Sequence, residues 1–156
     1  MFGSVGPTEL ILILCILIII APAILFLLTL QKALSRCSPE NRTMPPGWVW
    51  MMLIPLFNVF WQFILVSHIA RSLAREFQGR NIPAGPYPGR NVGMAWCVLN
   101  VSSGSLLAVM SAFGYVLGLG ALICWISYWV KISGYSARLA ASDAGGRVPT
   151  PANPAD

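Results

Sequence analysis

Four long apolar runs, separated by short polar stretches, set the pattern of this chain. The first, Leu10 to Leu30, contains no charged residue. A helix rises about 1.5 Å per residue, so the run covers about 31 Å, enough to cross the hydrocarbon core of a bilayer. Pro22 lies inside it and predicts a kink. Thr8 stands where an N-cap is needed. The second run, about residues 48–70, is broken by Pro55, Asn58 and Gln62. Beyond it Ile69, Leu73 and Phe77 recur every four residues, with Arg71, Arg75 and Glu76 off that stripe. This predicts an amphipathic extension lying on lipid headgroups. The third and fourth runs, about 92–112 and 115–130, are joined by an uncharged tight turn near Phe113-Gly114.

The polar connections have their own signals. Residues 31–47 contain Ser38-Pro39-Glu40, a helical-turn signature with Ser38 as cap. Asn41-Arg42-Thr43 matches a glycosylation sequon, a pattern common by chance. Pro83, Gly85, Pro86, Pro88 and Gly89 make a loop between the second and third runs. Trp125, Tyr128 and Trp129 before Lys131 read as an aromatic interface belt with a cationic anchor. Residues 141–156 are rich in Gly, Pro and Ala and predict a disordered tail. The expected architecture is therefore an all-α integral membrane protein: one domain over 1–140, a bundle of four hydrophobic helices with segment two kinked or re-entrant.

Composition agrees with the bilayer as solvent. Of the 156 residues 56% are hydrophobic and only 10% charged, against about 25% charged in soluble domains. Mean hydropathy is +0.71. Five acidic residues and one histidine leave little material for acid–base chemistry. Cys15, Cys37, Cys97 and Cys124 form no C-x-x-C pair and read as small buried hydrophobes. No catalytic set, cofactor motif or metal signature is present in the sequence, so the expectation is a protein that is not an enzyme and binds no cofactor or metal. The retained first helix lacks the positive n-region of a signal peptide. The net charge of +5 points to orientation and anionic lipid rather than nucleic acid.

The basic residues also constrain topology. With four spans and both termini in the cytoplasm, seven basic residues lie inside and three outside; the reverse arrangement breaks the positive-inside rule. A re-entrant segment two, turning at Pro55–Asn58, brings all ten inside and puts the N-terminus outside. Against it stands the cost of turn backbone in lipid, and segment two is long enough to span. The sequence thus favours a kinked span, and either arrangement places the C-terminus in the cytoplasm of a bacterial inner membrane.

Candidate functional positions follow from the same pattern. Asn58 and Gln62 share a helix face, and Pro55 frees a carbonyl one turn earlier that the Asn58 amide reaches. With Asn100, they offer either polar glue between helices or the lining of a solute path. Asn100, Ser102, Ser103 and Ser105 cluster on segment three, where serines bond their own helix. Gly104, Ala108 and Ala112, with Gly114 and Gly118, form small-residue faces for helix packing, within the chain or in a homo-oligomer. Arg71, Arg75 and Lys131 are candidates for lipid headgroups, and His68 sits at the interface. The leading expectation is a non-catalytic scaffold or accessory subunit of a membrane complex. The alternative is a small oligomeric channel or transporter with a polar path near Asn58 and Gln62.

Two resemblances accompany this reading. Residues 2–14, Phe-Gly-Ser-Val-Gly-Pro-Thr-Glu-Leu-Ile-Leu-Ile-Leu, resemble the N-terminus of small subunits of the twin-arginine translocase, with Glu9 as the family's acidic residue. The likeness covers about a tenth of the chain; Ala21-Pro22 stands where that family has a Phe-Gly hinge. It implies an outside N-terminus and does not extend to transport. Leu-Thr-Leu-Gln-Lys-Ala-Leu (28–34), Ser-Pro-Glu-Asn-Arg-Thr-Met (38–44), Gly-Trp-Val-Trp (47–50), Ile-Pro-Leu-Phe-Asn-Val-Phe-Trp-Gln-Phe (54–63) and Trp-Val-Lys-Ile-Ser-Gly-Tyr-Ser (129–136) are similar to a family of small uncharacterised bacterial multi-span membrane proteins. That resemblance implies the class and carries no activity.

Overall fold

The computed structural model describes residues 6–104 and 112–145. They are helical throughout, apart from turns and loops: α1 Pro7–Arg36, a 3-10 helix Pro46–Leu53, α2 Pro55–Gly79, α3 Arg90–Ser103 and α4 Ala112–Gly145. Three of these, α1, α2 and α4, are long and apolar enough to cross a membrane by length and composition. Helix α1 starts on Pro7, which needs no amide partner in the first turn. Gly6 rather than Thr8 is therefore the N-cap, and its amide donates to the Glu9 carboxylate at 3.2 Å. The helix continues through Pro22 to Arg36, whose charge suits the C-terminal dipole.

Segment two is not one helix. Pro55 forbids helical conformation in the residue before it, and Ile54 is extended at φ −83°, ψ 109°. Pro55 then occupies the first position of α2, where its missing N–H costs nothing. It ends one helix and starts another instead of kinking a single one. No carbonyl is freed for the Asn58 side chain either, because Met51 O, which Pro55 cannot bond, accepts from the Ile54 amide at 3.2 Å.

The chain folds back at this break. The Trp61 indole donates to Trp48 O at 3.1 Å, the Thr43 hydroxyl to His68 O at 3.0 Å, and the Ser38 amide to Glu76 Oε2 at 2.8 Å. These pairs run antiparallel, so residues 37–54 climb beside the descending α2. Residues 38–44 and 72–80 consequently lie at the same end of the molecule. Residues 48–70 therefore do not form one continuous kinked helix; Pro55 and the side-chain bonds of Ser38, Thr43 and Glu76 hold a hairpin in its place.

The end of α2 is closed by a Schellman motif. Asn81 takes the left-handed conformation (φ 53°), its amide bonds Gln78 O at 3.2 Å, and the Ile82 amide bonds Phe77 O at 2.9 Å. The stripe Ile69, Leu73, Phe77 does not lie on headgroups: all three are buried. They pack with Leu30 and Leu34 of α1 and Ile132 and Leu139 of α4 in one core. Helix α4 is longer than the 115–130 run. It continues to Gly145 because Ile132, Ser136 and Leu139 recur on its buried face, so residues 141–145 are helical rather than tail. Residues 146–156 of the expected tail lie outside the described residues, as do Ala108 and Ser105 of the third run.

Packing along the molecule is uneven. The C-terminal part of α1, from Phe26 onward, supplies much of the core, whereas its large side chains from Leu10 to Ile20 with known placement are 46–64% exposed. Nothing else among the described residues packs around that half.

Candidate functional site

A cavity of about 380 Å³ lies beside the apex of the hairpin. Its walls come from α1 (Ala23, Phe26, Leu27), the apex and α2 (Met52, Leu53, Asn58, Gln62), α3 (Trp96, Asn100, Ser103) and α4 (Gly118, Ala121, Leu122, Trp125). Asn58 and Gln62 reach it together because four residues bring side chains onto one helix face. Asn100 and Ser103 reach it from α3, where three residues do the same. The structure thus joins three of the four expected positions, Asn58, Gln62 and Asn100, with Ser103 of the polar cluster on segment three. Pro55 lies at the apex, exposed, and does not line the cavity.

These polar groups are poorly satisfied. Gln62 is 2% exposed, and its amide donates to Val59 O at 3.4 Å, near the limit of a hydrogen bond. Asn58 Oδ1 is buried with no partner. Ser103 donates to Asn100 O at 3.0 Å within its own helix, as expected for a serine there.

Toward the basic end the cavity stops on aromatic rings. Phe26 meets Trp96, Trp125, Tyr128 and Trp129 edge-on at centroid distances of 5.5–6.2 Å, and Trp96 stacks on Tyr128. Gly93 lets α3 come this close: a Cβ there would lie 2.6 Å from Val66 Cγ1 and 2.8 Å from Tyr128 Cε2. Gly93, which the small-residue pattern did not single out, is therefore a point of close helix approach. A Cβ on Gly118 would meet nothing within 4 Å, and one on Gly104 would meet only its own helix carbonyls. Gly114 is buried and Ala112 is exposed at the start of α4.

A second polar centre lies at the basic end, around Glu76. This carboxylate is 1% exposed. It accepts from the Ser38 amide (2.8 Å) and hydroxyl (3.0 Å), Asn41 Nδ2 (2.9 Å) and Arg80 Nε (2.7 Å). Arg80 reaches on to Asp143, the Ser142 hydroxyl and Leu139 O. Arg36 donates to Ser136 O at 2.6 Å and Ser136 Oγ at 2.7 Å. One buried anion thus ties the loop after α1, α2 and the end of α4 together. Sequence periodicity placed Glu76 off the apolar stripe; its signal was the Glu76/Arg80 spacing of four. Ser38 is not a helix cap but a donor to Glu76, in a turn closed by Asn41 N to Ser38 O at 3.0 Å.

The remaining candidates occupy the same end. Arg71 and Arg75 line one groove with Gln78 and Tyr87. Lys32 and Arg36 line another with Thr29, Trp129 and Ser133. Lys131 is exposed. His68 Nδ1 is 3.0 Å from Thr43 Oγ1, which also meets Ser72 Oγ at 2.9 Å. Cys37 and Cys97 are buried, Cys124 is half-buried and Cys15 exposed. Burial, with the Glu76 charge adding to it, pushes the Cys37 thiol up to about 11. Comparison with protein-family models, with curated proteins and with solved structures finds no match to this chain.

Proposed function

We propose that the chain is a non-catalytic integral membrane protein, an accessory subunit or scaffold within a larger assembly of a bacterial inner membrane. In this reading α1 and the α3–α4 pair cross the bilayer. The hairpin of the 3-10 helix and α2 enters and leaves on one side. The basic residues around Arg36, Arg80 and Arg138 face the cytoplasm, as does the C-terminus, and the N-terminus lies outside. Two features support it. The antiparallel pairing of Ser38 with Glu76 puts both ends of the hairpin beside the other basic residues. The exposed apex keeps its own backbone partners, the Ile54 amide donating to Met51 O at 3.2 Å and the Asn58 amide to Ile54 O at 2.8 Å, which lowers the cost of a turn in lipid.

The observation that carries the subunit role is the bare half of α1. Leu10, Leu14 and Ile18 are 59%, 58% and 64% exposed, while Leu30 and Leu34 of the same helix are 1% exposed. A soluble fold cannot leave such a surface in water; a membrane protein offers it to lipid or to neighbouring helices. The test is the native mass of the protein extracted in a mild detergent. The reading expects a species heavier than one chain, containing a subunit that, when tagged, recovers this chain in return. A monomer with no reciprocal partner removes the subunit role.

A further inference from the structure

Lys32 and Arg36, at the basic end of α1, have no carboxylate partner among the described residues. Both line a groove of about 490 Å³ between α1 and α4. We propose that this groove holds an anionic glycerophospholipid, with its phosphate on Lys32, Arg36 and Ser133 and one acyl chain along Leu25 and Leu28. The inference rests on the membrane-embedded reading above and does not depend on the subunit role.

Two links between the helices frame the groove. The Trp129 indole donates to Thr29 Oγ1 at 3.0 Å, and Arg36 Nη1 donates to Ser136 O and Oγ at 2.6 and 2.7 Å. Pairing 29 with 129 and 36 with 136 means that α1 and α4 run parallel, both toward the basic end. Along α1 the walls change character in one direction, from Leu25 and Leu28 through Thr29 to Lys32 and Arg36. The stretch covers about 16 Å of helix. Leu25 and Leu28 are 54% and 45% exposed, and Lys32 and Ser133 are exposed too, so the groove is open at both its apolar and its polar end. Aliphatic side chains, then an indole, then cations is the order in which a bilayer passes from hydrocarbon to headgroup.

Charge narrows the occupant further. The lining holds two cations and no Asp or Glu. A zwitterionic head would bring its ammonium group among them with no anion to receive it. A phosphodiester with an uncharged remainder, as in phosphatidylglycerol, meets attraction alone. Arg36 commits only Nη1 to Ser136, which fixes the guanidinium against α4 and leaves Nε and Nη2 as donors for phosphate oxygens. An acidic protein segment would answer the cations but not the exposed leucines one to two turns away. The groove of Arg71 and Arg75 lacks that second half, since no Leu, Ile or Val lines it.

The full-length protein in phosphatidylcholine nanodiscs, with a trace of phosphatidylglycerol carrying a photoactivatable diazirine in one acyl chain, tests this. Irradiation followed by peptide mass spectrometry is expected to label Leu25–Thr29 or Trp129. Excess phosphatidylglycerol should compete; glycerol 3-phosphate, which lacks the chains, and oleate, which lacks the phosphate, should not. The same diazirine carried on phosphatidylcholine should label these positions far less. Lys32→Gln should lower labelling about fivefold, the scale of one basic residue at an anionic surface. Arg138→Gln removes an equal charge from an exposed position outside the groove and should leave labelling unchanged. Ser133→Phe should fill the polar end and abolish labelling while the protein keeps its elution volume and tryptophan emission. Equal labelling by the two probes, an equal loss in Arg138→Gln and Lys32→Gln, or labelling that survives Ser133→Phe overturns the site. Competition by glycerol 3-phosphate overturns the lipid as occupant, and competition by oleate overturns the phosphate. Normal insertion into the discs with labelling only elsewhere overturns the site alone. Failure to insert overturns the membrane-embedded reading and the site with it.

Discussion

Glu76 gathers four donors from two separate stretches of chain, and Arg80 beside it carries the connection on to Arg36, Leu139, Ser142 and Asp143. Removing one partner of a buried ion pair costs about 3–5 kcal/mol. Arg80 keeps some access to water and Asp143 as a second partner, so Glu76→Ala should cost about 3 kcal/mol, at the lower end of that range. Thermal unfolding in detergent, followed by tryptophan fluorescence, measures it; a shift within error of wild type would show that the loop is held by other means. Cys37 gives a second test at this scale. Its thiol is buried and pushed up to about 11, so almost no thiolate exists at pH 8. In a variant keeping only Cys37, maleimide at pH 8 should label it after denaturation and not before. Glu76 was poorly legible because periodicity assigns a polar residue on an apolar helix to the outside. It says nothing of a loop returning from 35 to 38 residues earlier. Asn58, Gln62 and Asn100 were legible, since unpaired amides in apolar runs are conspicuous wherever they fold.

Among the elements, the contest was over segment two. Its length spoke for one continuous helix; the chain instead breaks at Pro55, and the two pieces pair as a hairpin. Hydropathy counts residues without regard to the conformation that Pro45, Pro46 and Pro55 impose, so it overestimates continuity. Reporters at Ser38 and Gly85 should therefore show the same accessibility, both protected in intact cells; opposite accessibility would require α2 to part from the loop before it. The extent of α4 was hidden for a different reason. Ile132, Ser136 and Leu139 are spaced for a helix face, but Gly134 and the surrounding Ser and Ala residues dilute the apolar signal. Leu139 is wholly buried. Leu139→Ala should cost about 2–5 kcal/mol, where a residue in a disordered tail would cost nothing measurable. Chemical denaturation in a fixed detergent reads the difference.

For the whole molecule, the helical class was plain from hydropathy, but of the four apolar runs it marked, three helices among the described residues, α1, α2 and α4, are long and apolar enough to cross a membrane. What the chain pattern could not convey is the asymmetry between a tightly packed basic end and a bare half of α1. Packing depends on which helices stop short, and the hairpin stops at mid-length of α1, beside Ala23 and Leu27. The orientation proposed for this arrangement predicts that a cysteine at Ser142, in a background without native cysteines, reacts with impermeant reagents only once the inner membrane is opened. Reaction in intact cells would reverse the orientation.

The Arg80 contacts with Ser142 and Asp143 also bear on the order in which the molecule is made. Arg80 leaves the ribosome long before its partners, which follow 62 and 63 residues later. Synthesis proceeds from the N-terminus at about 5–20 residues per second. For several seconds α2 has emerged, while the helix end that completes its anchorage does not yet exist. Glu76 can engage Ser38 and Asn41 at once, but Arg80 must wait for the last turns of α4. The middle of the sequence is therefore fully fastened only when the end of α4 arrives. A nascent chain stalled before Ser142 should hold a hairpin that is formed but not yet latched.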